Sequence, residues 1–143
     1  MTTREAIHTD GAPAAAGPYS QAIRTGDLVF TAGQLGIDPA TGDFAGEDVA
    51  SQAEAALGNL RAILEAAGSG LDRMVKVTVF LADIGEWAAV NEVYARLVPE
   101  PYPARSAFAV KDLPKGARVE IEAVAMVREV GGGGFAPSAP DAE

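Results

Sequence analysis

The chain has no cysteine among its 143 residues. That excludes a disulfide framework, a thiolate zinc site and a cysteine nucleophile. It has one histidine, His8, near its start. A histidine-rich metal site is therefore impossible, and a Ser-His-Asp triad would have to use this one residue. No serine stands in a G-x-S-x-G elbow to partner it. An all-carboxylate metal site is allowed by composition but has no motif behind it. Basic residues are also scarce, with Lys+Arg at 11 against Asp+Glu at 20, and the formal net charge is -9. A protein that gains its affinity by neutralising phosphates needs the opposite balance. No apolar stretch approaches the ~20 residues of a membrane-spanning helix. The start of the chain lacks the basic-then-apolar pattern of a secretory signal. These absences leave a soluble cytoplasmic domain as the expectation, with neither nucleic acid nor membrane as its partner.

What is present is enough for one core. Apolar residues make up 48% of a chain of single-domain length. "LVFTAGQLGI" at 28–37 has the β-branched and aromatic content of a strand, after a shorter apolar run from Tyr19 to Ile23. "DPATGD" at 38–43 is turn chemistry. From Asp48 to Ala67, the residues Val49, Ala53, Leu57, Leu60, Leu64 and Ala67 recur at spacings of three and four, which predicts a helix with one apolar stripe. Gly68 and Gly70 end it. Val75, Val77, Val79 and Leu81 then alternate with Lys76, Thr78 and Phe80, which is strand periodicity. Asp83 opens a second helix, with Glu86 three residues on as a capping-box partner. Its stripe reads Ile84, Trp87, Asn91, Tyr94, Val98, and Pro99 and Pro101 end it. Two more strands follow, Arg105–Val110 and 118–127, with "LPKGA" between them. The order β, β, α, β, α, β, β predicts an α+β domain, a mixed sheet with both helices on one face. The other face, carrying valines and charges together, needs a partner. Residues 1–130 form the predicted domain, and 131–143 read as a flexible Gly/Pro-rich tail.

Five places are candidates for chemistry. Arg105 heads an apolar strand after two prolines in "PYPARSAFAV". A strand-end arginine ordinarily pairs with a surface carboxylate. Here the small neighbours Ser106, Ala107 and Ala109 leave space for it to clamp a small carboxylate in bidentate fashion. Glu120 and Glu122 share one face of "RVEIEAVAMV", roughly 7 Å apart by strand rise. Either they form a solvated face partly neutralised by Arg118, or one of them orients or deprotonates a water. Tyr19, after the fixed Gly17-Pro18 turn, is either a core tyrosine or a phenol presented at the surface. Gly33 in "TAGQLG" marks a bulge or a close backbone approach, and it fits no phosphate-binding loop. Asn91 lies on the stripe of the second helix, where its buried amide should bond to a nearby loop backbone.

The segments "APAAAGPYSQA", "VFTAGQLGIDPATG", "VKVTVFLADIGEWAAVNEVY", "YPARSAFAV" and "LPKGARVEIEAVA" together resemble the RidA/YjgF family of reactive-intermediate deaminases, over about residues 8 to 128. The resemblance implies a chorismate-mutase-like α+β domain that forms a homotrimer, with sites in the clefts between subunits. It implies hydrolysis of 2-enamine and 2-imino acids, such as 2-aminoacrylate, to 2-keto acids and ammonia, with no cofactor. Arg105 matches the arginine that grips the substrate carboxylate, and Glu120 the acid that holds the attacking water. Tyr19 and Gly33 match residues lining the cleft, Ala107 a strand segment whose backbone contacts the ligand, and Asn91 a supporting asparagine. Ala32 departs from the serine that many deaminase members carry there, which puts the substrate range in question. Two alternatives stay open: a trimer that senses 2-keto acids without turnover, and a pathway-specific deaminase for a larger imine. Some members have been linked to RNA cleavage, for which the net charge of -9 is unsuited.

Overall fold

Alternating apolar residues and short turns build a sheet of seven strands, seen in a computed structural model that describes residues 3–128. The segment 131–143, read above as a tail, lies outside the described residues. The strands are β1 (Arg4–Ile7), β2 (Ala22–Thr25), β3 (Leu28–Thr31), β4 (Gln34–Leu35), β5 (Met74–Leu81), β6 (Ala104–Ala109) and β7 (Val119–Met126). Their order is β1-β2-β3-β7-β5-β6, with β4 also pairing β7. Among the described residues, only β5 and β6 run parallel, joined by the helical crossover that a parallel pair requires. The sheet is therefore mixed, as expected. Strand β1 was not foreseen: it is a short edge strand with three of its four residues exposed, so it carries no apolar alternation.

Helix α1 (Val49–Ala66) buries the predicted stripe, with Ala53, Leu57, Leu60 and Leu64 fully covered. Asp48 caps it by accepting the Ser51 N–H at 2.9 Å, which holds its carboxyl below the usual carboxylate range. At the other end the Ser69 N–H reaches Leu64 O (2.7 Å) and the Gly68 N–H reaches Glu65 O (3.1 Å). That pairing needs a left-handed residue, and Gly68 supplies it at φ 84. Helix α2 (Trp87–Leu97) follows a 3-10 turn, Ile84–Glu86. The expected capping box is not formed. Asp83 accepts the Gly85 N–H instead, and the Glu86 carboxylate turns to Arg118 (3.1 Å). Arg118 is thereby committed to Glu86 and to Glu47 O (2.7 Å), and does not neutralise Glu120 and Glu122 as the sequence suggested.

Val29, Val77, Val79, Val119, Ile121 and Ala125 face the helices and form the core with α1 and α2. The opposite sheet face is open. It presents Phe30 and Phe108, 44% and 45% exposed, together with Leu28 and Met126. Glu120, Glu122 and Thr78 interrupt this apolar surface, since they alternate with the core residues along β7 and β5.

Candidate active site

The long strand expected over 28–37 is broken at Ala32 and Gly33. Phe30 pairs with Val124 and Gln34 with Ile121, so four steps on one strand span three on the other. This is a bulge with one extra residue. The Ala123 N–H, released from the ladder, donates to the Thr31 hydroxyl at 3.0 Å. The Glu120 side chain lies against the bulge. A methyl group at Gly33 would overlap the Glu120 carboxylate and stand 2.7 Å from its Cδ, so only glycine leaves room for it there. Glu120 makes no ion pair or side-chain hydrogen bond among the described residues. Burial, reinforced by the charge of Glu122, raises its carboxyl above the ordinary glutamate value.

Gln21, two residues after Tyr19 and not marked by the sequence, bonds to the bulge. Buried Gln21 accepts the Thr9 N–H (2.7 Å) and donates to the carbonyls of Thr9 (3.1 Å) and Pro13 (2.8 Å). Its backbone carbonyl accepts the Ala32 N–H at 2.9 Å. The Gln21 side chain thus holds the 9–13 segment, while its backbone holds the bulge. Tyr19 itself is not a core residue: it is 54% exposed, with its hydroxyl accepting the Ala16 N–H.

Arg105 belongs to a second group. In the register of β6 on β5 it sits beside Val77, so it points to the helix side of the sheet. Its guanidinium donates to Asn91 Oδ1 at 2.9 Å. Asn91 is therefore exposed and bonded to a side chain, where a buried amide bonded to loop backbone was expected. The guanidinium carbon also lies 4.5 Å from the Trp87 ring centre and 4.6 Å from that of Tyr94. No carboxylate comes within ion-pair distance of Arg105 among the described residues. Asn91, Tyr94, Ala95, Tyr102, Pro103 and Arg105 line a hollow of about 370 Å³. Ala107 follows on the same face of β6, an edge strand whose outer side pairs with no other strand among the described residues.

The two groups do not meet. Glu120 registers with Phe80 and Arg105 with Val77, positions of opposite parity on β5. One chain therefore presents Arg105, Asn91 and Ala107 on the helix side and Glu120, Gly33 and Ala32 on the open side. The first group can hold a small anion through a guanidinium free of counter-charge. The second can hold or move a proton on a half-buried carboxylate. Trp87 and Tyr94 were legible in sequence as part of a helical stripe, but the stripe was read as apolar packing.

A family model described as Endoribonuclease L-PSP matches residues 9–127. The RutC family protein y4sK of Sinorhizobium fredii is 57% identical over 120 residues, 84% of this chain and 95% of that protein. The 2-iminobutanoate/2-iminopropanoate deaminase of Bos taurus is 49% identical over 123 residues, 86% of this chain and 90% of that protein. The crystal structure of E. coli TdcF with bound serine matches with a TM-score of 0.83 at 41% identity, covering 87% of this chain and 99% of that one. The chain belongs to the Endoribonuclease L-PSP family, the RidA/YjgF family its sequence segments resemble, some of whose members are named imine deaminases.

Proposed function

We propose that the protein hydrolyses 2-enamine and 2-imino acids to 2-keto acids and ammonia, at sites that two copies of the chain complete together. The observation that carries this reading is the pair of half-sites on opposite sheet faces, one with a free guanidinium and one with a half-buried carboxylate. A second copy laid on the open face covers Phe30 and Phe108 and brings its own Arg105 group toward Glu120. A closed homotrimer satisfies every open face in turn. The named activity of the bovine relative and the serine held by TdcF support a small amino-acid-like ligand.

The chemistry suits so sparse a site. An enamine takes a proton at its terminal carbon and becomes the 2-imino acid. Arg105 holds the carboxylate, and Glu120 takes a proton from a water as its oxygen bonds to C2. The imine is attacked in its protonated form, so the C=N π electrons neutralise the nitrogen and give a carbinolamine. The proton then passes from Glu120 to the amine; Glu120 takes back the proton of the new hydroxyl as the C=O bond forms, the C–N bond breaks, and ammonia leaves a 2-keto acid. Imines hydrolyse unaided in water, so positioning alone can supply the needed several kcal/mol. Ala32, with no hydroxyl, leaves the bulge wall apolar and favours short aliphatic substrates. An amino-acid oxidase generating 2-iminobutanoate in place gives the test: added protein should accelerate release of 2-oxobutanoate and ammonia. Tight binding of 2-oxobutanoate with release at background would make the protein a 2-keto acid sensor instead. Light scattering should give three times the chain mass, and a monomer would remove the shared site.

A further inference from the structure

We infer that Trp87 and Tyr94 are positioning residues for Arg105: together with Asn91 they form a cradle that fixes the guanidinium plane without neutralising its charge. The inference rests on Arg105 being the carboxylate anchor, and it assigns a role to helix α2 that the anchor alone does not require. Residues 87, 91 and 94 follow at i, i+4 and i+7, so they share one helix face. Seven residues span about 10 Å of helix axis. A guanidinium carbon at 4.5 Å and 4.6 Å from the two ring centres therefore lies between the rings, with the Asn91 oxygen accepting one N–H at 2.9 Å.

The choice of partners matters. A carboxylate in place of the rings would also hold an arginine, but it would compete with an anionic ligand for the same N–H edge. Aromatic faces attract the cation through their quadrupole and leave that edge free. The Tyr94 hydroxyl is buried with no hydrogen-bond partner among the described residues, and burial pushes its phenol above the ordinary value, so the residue works through its ring. Trp87, the only tryptophan in the chain, is half-buried at the edge of the core, so changing it spares the centre of the fold.

The experiment measures 2-oxobutanoate affinity by calorimetry alongside deaminase kinetics for Trp87→Leu and Trp87→Phe. Trp87→Leu should weaken 2-oxobutanoate about tenfold and raise KM by a similar factor with a smaller change in kcat. Trp87→Phe, which keeps a ring under the cation, should recover affinity to within about threefold of the parent. In the unaltered protein, the Arg105 side-chain N–H resonances should be shifted upfield by the rings, and Trp87→Leu should reduce that shift. Equal affinities for Leu and Phe variants, with unshifted Arg105 resonances in the parent, would overturn the cradle. A parent that does not bind 2-oxobutanoate, or an Arg105→Ala variant that binds it equally well, would instead sink the anchor reading itself.

Discussion

Replacing Arg105 by lysine should lower kcat/KM for 2-iminobutanoate by about 10²-fold, although the charge is kept. A hydrogen bond to a charged group contributes about 1.5–3 kcal/mol, and ~1.4 kcal/mol is a factor of ten. Lysine offers a point charge where arginine offers a planar fork, so at least one of the two parallel bonds to the carboxylate is lost. It also loses the stacking on Trp87 and Tyr94 and the geometry of the Asn91 bond. The carboxylate is held in the ground state and the transition state alike, so most of the loss should appear in KM. Arg105→Ala should be worse still. Steady-state kinetics with the imine generated in place would decide it. A lysine variant within threefold of the parent would mean that charge alone anchors the ligand, and the bidentate assignment would fall.

Helix α1 was legible because its stripe reflects burial directly, every residue of the predicted stripe being in the core. The strands of the sheet centre were legible for the same reason. The α2 stripe does not reflect burial in this way, since Val90, Val93 and Tyr94 are buried while Ile84 and Asn91 of the predicted stripe are exposed and Trp87 is half-buried. What escaped was decided by contacts between distant segments. Strand β1 exists because Arg4–Ile7 finds β2, and its own residues say little about that. The break at Ala32–Gly33 is a mismatch in length between β3–β4 and β7, and a lone glycine could only hint at it. The roles of Asn91 and Tyr94 depended on which side of the sheet Arg105 takes. That side is set by the parallel register of β6 on β5, which periodicity within either strand leaves undetermined. The same register separates Arg105 from Glu120. Two residues that stand fifteen apart in sequence, and matched one family site, thus lie on opposite faces of one chain.

Glu120→Gln should lower kcat by about 10³-fold, within the range general acid–base catalysis supplies, while raising the melting temperature at neutral pH. The second half follows from the carboxyl's raised position, caused first by burial and then by Glu122. The folded protein holds this proton more tightly than the unfolded chain. Its contribution to stability is therefore full below the ordinary glutamate value and is lost as pH rises through the folded one. Glutamine keeps the shape without the buried charge, so the gain should appear at neutral pH and vanish in acid. A second copy covering the open face deepens this burial, and the Arg105 it brings toward Glu120 offsets part of the effect. In the parent, the acid limb of the pH–rate profile should lie above that of an ordinary carboxylate. Glu122→Gln removes the repulsion and should move that limb to lower pH. Gly33→Ala reaches the same carboxylate from the other side. Its methyl would displace the carboxylate end of Glu120, which swings away at little cost to the fold, and a misplacement of this kind can cost about 10² in rate. If Gly33 acts only by making room for Glu120, adding Gly33→Ala to Glu120→Gln should cost little more, because the two changes share one interaction. Full multiplication of the two losses would show that the bulge serves the reaction independently of Glu120.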